Sequence, residues 1–465
     1  MSLSGAVQPA GLQRADEIVS RLERIPFSGF HWNIFITLGL ANIFDGFDTI
    51  AIGVTLAVIF TTLHIGFVNA GILISISGIG GLIGALLSGV LGDKFGRKSV
   101  LIGAMLVFGL GSIACTFSND FNSLMTFRSI QGLGLGATLP IAAVLFNEFV
   151  RGKTRGLTAG GYQGLFTIGL IAVPFIGGGL ISALGGNLGW RVLFGLGGIP
   201  ALVAIYAIWR LPESVRWLVD KGRTEEAERI VARMERQFPE GELPAPAVTF
   251  QADVKPTRFS EMFSPAYAHR TMLTWLQFFM TLMITGSLGA WLPTEYQQVS
   301  HVAPSFALVL AGFTGLGTLV GGYLFVLLTD KVGRKPLFAI GFTISLLGGL
   351  FGMIGVGFLH HTSWPVMFTA GLLLWMGGAV NNLGAYVYVA ELFPTRMRAW
   401  ALATGNGANR VAGLIVPTFV GLLLASVLGI AGVFAMLALA ALIGLVVMLT
   451  MGIETKQRVL EELSV

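Results

Sequence analysis

Two acids, Asp45 and Asp48 in the stretch NIFDGFDTIA, lie inside an apolar run that extends from about Ile34 to Phe60. A carboxylate in a membrane-length segment costs about 2.5–3.5 kcal/mol on insertion scales, so its presence points to function. Their spacing puts both on one helix face, about a turn apart, where they can share a cavity. Counted from Ile34, they stand roughly 16 and 21 Å into a bilayer. Two intramembrane arginines accompany them, Arg128 in FRSIQGLGLGATLP and Arg410 in GNGANRVAG, the latter about 15 Å along its helix from Trp400. Height alone sets Arg128 beside Asp48 and Arg410 beside Asp45. Two kinds of chemistry are open to such a set. The pairs can simply lock helices together, or the acids can carry protons while a guanidinium fork receives an organic anion. No histidine competes for the proton. His31 and His269 fall at one set of helix ends, and His64, His301, His360 and His361 lie in the loops at the other.

Aromatic and amide side chains at helical spacing could line the same cavity. Tyr162, Gln163 and Phe166 share one face of their segment, Gln277 and Thr281 share another, and Trp375, Asn382 and Tyr386 recur along a third. An apolar pocket with a few placed polar groups is the usual form of a small-molecule site, although the same residues also pack helices. A second constellation sits in short loops. Asp93 with Arg97 in GDKFGRK and Asp330 with Arg334 in TDKVGRK occupy tight turns, joined by Glu148 and Arg155 in EFVRGKTR and by Glu391 and Arg398 in ELFPTRMR. Topogenic positive charge explains the basic members but not the acids, so these eight are expected to form a gate, with charges able to pair with helix ends across the gap between halves.

The elements that must position these residues follow from composition. A chain of 465 residues that is 54% hydrophobic and 11% charged, with mean hydropathy +0.78, is a polytopic membrane protein. Twelve stretches reach the roughly 20 apolar residues a spanning helix needs. They centre near residues 46, 79, 107, 134, 169 and 200, and again near 284, 317, 347, 378, 411 and 441. A polar linker, residues 211–270, separates the two sets. Lys and Arg concentrate in alternate connections, in the linker and at both ends, with Arg191 as the exception, so both termini are expected in the cytoplasm. The single cysteine, Cys115, excludes disulfides and leaves a Cys-based metal or nucleophilic site without support. Gly-rich runs such as GLGLG suit close helix packing. Without a Walker motif they do not suggest a nucleotide loop, which argues against ATP-driven transport.

The halves resemble one another. Asp93 matches Asp330 at an offset of 237, while Glu148 matches Glu391, Arg155 matches Arg398 and Pro174 matches Pro417, each at 243. Parallel six-helix repeats around a midplane site are the architecture of many secondary transporters. GDKFGRK with its second copy, LPESVRWL after the sixth span and ELFPTRMRA before the eleventh together resemble the major facilitator superfamily across nearly the whole chain. Within it, DGFD resembles the aromatic acid/proton symporters, RIPFSGFHWNIF is similar to niacin-type transporters, and LPESVRWL is shared with sugar porters. Both arginines resemble ones that the aromatic acid symporters use.

The expectation is therefore an all-α membrane protein of twelve transmembrane helices in two pseudo-symmetric halves. Residues 1–31 would form a cytoplasmic segment, 32–210 and 271–452 the halves, and 453–465 a tail. The expected activity is proton-coupled import of a small aromatic or heteroaromatic carboxylate. A porter of neutral sugar-like or cationic solutes is the alternative within transporters, and a non-transporting sensor the alternative outside them. The expected partners are an organic anion, protons and the lipid bilayer of the plasma (inner) membrane. No metal, cofactor or nucleic acid is expected, and a monomer should suffice.

Overall fold

The computed structural model describes residues 10–151, 155–239, 241–245, 259–394 and 397–456; the side chains of 10–13, 155–160, 163 and 399 lie outside that description. Among the described residues, twelve helical segments are long and apolar enough to cross a membrane. A short helix, α1 (Ala10–Arg24), precedes them. The first six spans are α2 (Gly29–Leu63), α3 (Phe67–Phe95), α4 (Arg97–Thr116), α5 (Phe121–Phe149), α6 (Arg155–Leu184), and α7 (Gly186–Leu196) with α8 (Ile199–Arg210). Between the halves come α9 (Val215–Asp220), α10 (Thr224–Glu235) and a 3-10 turn at Phe259–Phe263. The second six are α11 (Ala268–Val299), α12 (Pro304–Gly315) with α13 (Gly317–Val332), α14 (Arg334–Gly352) running into a π-turn at Met353–Phe358, α15 (Trp364–Leu392), α16 (Arg398–Ala425) and α17 (Gly429–Met451).

With an even number of spans, the first and last helices begin and end on one face, called here the terminal face; the opposite one is the far face. Outward-facing apolar side chains such as Leu86, Val90 and Tyr323 suit hydrocarbon, where the backbone groups must be satisfied within each helix. Small residues bring helices to backbone contact. The GLGLG run of α5 packs on α3, where a Cβ on Gly132 would overlap the Ser77 carbonyl and one on Gly136 the Gly81 carbonyl.

The contacts that join the halves gather toward the far face. Gly53 of α2 lies on the Gly289 and Ala290 carbonyls of α11, and Gly71 of α3 lies on Pro417 and Thr418 of α16. Ser75 and Thr418 share a hydrogen bond of 2.9 Å, Phe67 approaches Trp291 at 6.4 Å, and Phe175 meets Phe313 edge-on at 5.9 Å.

On the terminal face, α1 docks on the linker helices. Its Ile18 and Leu22 are buried in one cluster with Ala227, Val231, Met234 and Trp217. Arg21 and Arg24 both bind Glu235, at 2.6 and 2.7 Å, and Arg14 binds Glu228 at 2.7 Å. The described part of the N-terminal segment thus forms part of a small helical cap.

Candidate functional site

The long helix α2 carries the two acids, and Gly46 between them lets α6 approach so closely that a Cβ would overlap the Phe166 carbonyl. That contact fixes Tyr162 and Phe166 of α6 along the acidic stretch of α2. The two acids nevertheless meet different surroundings.

Asp48 belongs to a closed network. Arg128 of α5 donates from Nη1 to both Asp48 oxygens at 2.9 and 3.0 Å and to Gln131 Oε1 at 2.7 Å, while its Nη2 donates to Ser77 of α3 at 3.1 Å. Gln131 Nε2 completes the ring by donating to Asp48 at 2.7 Å. Both charged residues are 2% exposed, and the guanidinium lies 5.6 Å from the Phe194 ring. A buried pair of this kind is held because each charge and most polar atoms have partners; only Arg128 Nε is left without one. The network ties α2, α3 and α5 together.

Asp45 belongs to an open arrangement. It is 8% exposed, its carboxylate accepts no hydrogen bond from a described residue, and the charges acting on it are those of Arg410 and Asp48. Arg410 of α16 lies against Gly81 of α3, so a guanidinium of the second half reaches the first. It makes no ion pair or hydrogen bond with a described residue. Its charge also reaches Tyr386 of α15, whose hydroxyl donates to Asn406 at 3.1 Å and whose ring meets Phe278 edge-on at 5.4 Å.

Several buried polar atoms of α2, α6 and α11 find no partner among the described residues. They are the Tyr162 hydroxyl, the Asn42 Oδ1, the Thr281 hydroxyl and both amide atoms of Gln277. Asn42 itself is anchored by donating to the Tyr162 carbonyl at 2.7 Å, and the Tyr162 ring stacks on Phe146 at 5.9 Å. Orphaned buried donors and acceptors are rare in proteins and each calls for a reason. Trp375, with Ile50, Pro174 and Leu288, lines a small cavity between the halves. Asn382 is exposed and hydrogen-bonds to no described residue; Asn381 is the buried amide of that pair. The Gln163 side chain lies outside the described residues.

The loop charges form two networks, one in each half. Arg97 pairs with Asp93 at 2.9 Å and with Glu148 at 3.7 Å; Arg334 pairs with Asp330 at 3.1 Å and with Glu391 at 2.8 Å. The expectation of pairing across the gap is not met in this state, because each arginine is already held by acids of its own half. Arg398 donates to the Phe393 carbonyl at 3.2 Å, and the Arg155 side chain lies outside the described residues.

A further acid completes each network. Glu213 accepts from the Lys98 backbone N–H at 3.0 Å, and Glu454 accepts from those of Arg334 and Lys335 at 3.0 and 3.1 Å. Both carboxylates cap helix N-termini, where negative charge is favoured. Gly96 and Gly333 make this possible, with φ of 96° and 104° and carboxylates standing where a Cβ would be.

Sequence reasoning missed Gln131, Ser77, Asn42, Asn406, Glu213 and Glu454. Gln131 was findable, since it follows Arg128 at one helical turn. The others depend on which helices become neighbours.

The sugar (and other) transporter family matches residues 34–465. The niacin transporter NiaP of Acinetobacter baylyi is 28% identical over 454 residues, covering 96% of this chain and 99% of that protein. The 4-hydroxybenzoate transporter PcaK of the same organism is 32% identical over 405 residues, 86% of each chain. Among solved structures, the xylose transporter XylE from E. coli in a partially occluded inward-open conformation superposes with a TM-score of 0.72 at 20% identity, over 93% of this chain and 100% of that one.

Proposed function

The chain belongs to the sugar (and other) transporter family and is a transporter of the major facilitator fold, and we propose that it is a proton-coupled symporter importing a small aromatic or heteroaromatic carboxylate. The observation that carries this reading is Arg410. An intramembrane guanidinium is tolerable when paired, yet this one has no ion-pair partner among the described residues and lies within the field of Asp45. It suits a ligand carboxylate, which the planar fork can bind through two charge-assisted hydrogen bonds. Arg128, expected from sequence to share this role, is occupied by Asp48 and is assigned to holding the first half together. Niacin and 4-hydroxybenzoate, named for the two relatives, are both aromatic carboxylates.

Asp45 is the proton carrier in this mechanism. Ionised, it neutralises Arg410 and repels an anion; protonated, it leaves the full charge of Arg410 to the substrate. Proton and anion binding then favour one another by the same factor. Gln277, Thr281, Tyr162 and Asn42 supply hydrogen bonds to the ring substituents, while Phe166, Trp375 and Tyr386 form apolar walls. One proton per monoanion is electroneutral, so the pH gradient drives uptake at about 1.4 kcal/mol per unit.

Residues 32–210 and 271–452 rock as two bodies, joined by the linker 211–270. The positive charge of the terminal face supports a cytoplasmic location for that face in a plasma (inner) membrane, and the far-face contacts between the halves support reading this as an inward-facing state. The arginine clusters around Arg97 and Arg334, with Arg155 and Arg398, form the cytoplasmic gate, re-pairing between halves when it closes. The protein works as a monomer. The orphaned Gln277 amide favours a second reading, a proton-coupled porter of a neutral sugar-like solute.

Proteoliposomes with an alkaline interior test the choice. Benzoate, 4-hydroxybenzoate and nicotinate should accumulate while arabinose and xylose do not, and Asp45→Asn should lose gradient-driven accumulation while retaining exchange. Accumulation of sugars alone would establish the second reading in its place.

A further inference from the structure

Glu295 on α11 has no part in the mechanism above. It is 5% exposed, four residues from the far end of its helix, and no hydrogen bond or ion pair with a described residue satisfies it. Its neighbours Trp291, Leu292 and Tyr296 are buried, and the Trp291 Nε1 and Thr294 hydroxyl likewise have no partner among the described residues. The Tyr296 hydroxyl is engaged by Thr314 at 3.0 Å.

Among the described residues, no counter-charge stands on the parts of α2, α12, α15, α16 and α17 near this end of α11. In the helices packed against it, the stretches 49–63 of α2, 304–315 of α12, 364–385 of α15, 411–425 of α16 and all of α17 contain no Asp, Glu, Lys, Arg or His. The charged groups of these helices, Asp45, Asp48, Arg410, Arg398 and Glu391, lie at mid-membrane or on the terminal side. The titratable or charged side chains at the far-face ends and loops are His64, Asp120, Arg191, His301, His360 and His361. An ionised carboxylate buried in such a layer without a counter-charge would be very costly.

The surrounding geometry ties that layer to the opening of the transporter. Pro293 removes the hydrogen bond that would hold the Gly289 carbonyl within the helix, and this carbonyl packs instead on Gly53 of the other half. One turn from Glu295, Trp291 meets Phe67 and Gly421. The acid therefore sits just beyond Pro293, on the end of α11 that follows its contact with the other half at the far face.

We propose that Glu295 is a proton-binding site of the far-face closure: sealing the halves takes up a proton from that side, and parting them hydrates the segment and returns it. The proton is bound and released on one face and is not the one carried with substrate. This rests on the alternating-access reading above, and it adds a control of that motion by far-side pH.

The test uses spin labels at Thr61→Cys and Val427→Cys, exposed far-face positions in opposite halves, in a Cys115→Ala background in nanodiscs. Inter-label distances report the closed fraction. Where the hydrated carboxylate is ionised, above about pH 4.3, the closed-to-open ratio should rise by up to tenfold per unit fall in pH beyond any change due to other groups. Glu295→Gln should remove that excess slope and stay closed. An Asp45→Asn protein that keeps Glu295 should retain it, which tests the proposal without relying on the Gln variant. An unchanged slope in Glu295→Gln, a flat profile in Asp45→Asn, or a closed fraction that follows Na+ at fixed pH would each overturn the proposal. Labels whose separation never changes, with pH or with 4-hydroxybenzoate, would instead refute alternating access.

Discussion

Replacing Arg410 with Ala separates ligand binding from scaffolding, because this side chain has no hydrogen-bond or ion-pair partner among the described residues. Truncation should cost the fold little. It should cost the ligand two charge-assisted hydrogen bonds, each about 1.5–3 kcal/mol, or about 3–6 kcal/mol in all. At about 1.4 kcal/mol per factor of ten, affinity for 4-hydroxybenzoate should fall between about a hundredfold and ten-thousandfold. Lys keeps the charge without the fork and should restore only part of the loss. The pH dependence should go as well, since Asp45 acts on the anion largely by neutralising Arg410. Isothermal titration of protein in nanodiscs across pH measures affinity and linkage together, and the thermal midpoint of the same samples checks the fold. An Ala variant that binds within about threefold of the unmodified protein, with the same pH dependence, would refute the assignment. So would a loss of binding matched by a collapse in thermal stability.

The Asp48–Arg128 pair should behave in the opposite way. Asp48→Asn strands a buried guanidinium and should destabilise by about 3–5 kcal/mol, whereas Asp48→Asn with Arg128→Gln, which removes both charges, should recover most of that in thermal unfolding. The cap on the terminal face should respond to acid. Burial pushes the Glu235 carboxyl up, but its hydrogen bonds from Arg21 and Arg24 outweigh this and hold it below the usual range. A lowered value means that its contribution to docking is complete above the ordinary carboxylate value of about 4.3 and is lost as pH falls through the lowered one. A spin label at Glu17→Cys in the Cys115→Ala background should keep one mobility from neutral pH down to about 5, then loosen on further acidification. Arg21→Ala should remove about 1 kcal/mol or less of that docking and shift the loosening to higher pH.

Much of this protein is legible along the chain because a bilayer imposes rules that act locally. Each span must satisfy its own backbone, so twelve apolar stretches are visible one at a time, as is the basic bias of alternate loops. The cost of a charge in hydrocarbon singles out Asp45, Asp48, Arg128 and Arg410 without any structure. What could not be read is how they are shared out. Both arginines look equivalent in sequence, since height along a helix does not show which way a helix faces or what stands opposite. Tertiary packing brings α2, α3 and α5 together and leaves Arg128 enclosed by Asp48, Gln131 and Ser77. The same packing sets Arg410 against Gly81 across the seam between the halves, where no acid among the described residues pairs with it. Glu213 and Glu454 become helix caps only because distant segments return to Gly96 and Gly333. Sequence thus determined that these four charges must have a reason to be in the membrane, but did not single out Glu295, which lies near the end of its span. Only the fold decided which are satisfied by the protein itself and which are left to a ligand or a proton, because a charge's partner is set by contacts between helices far apart in the chain.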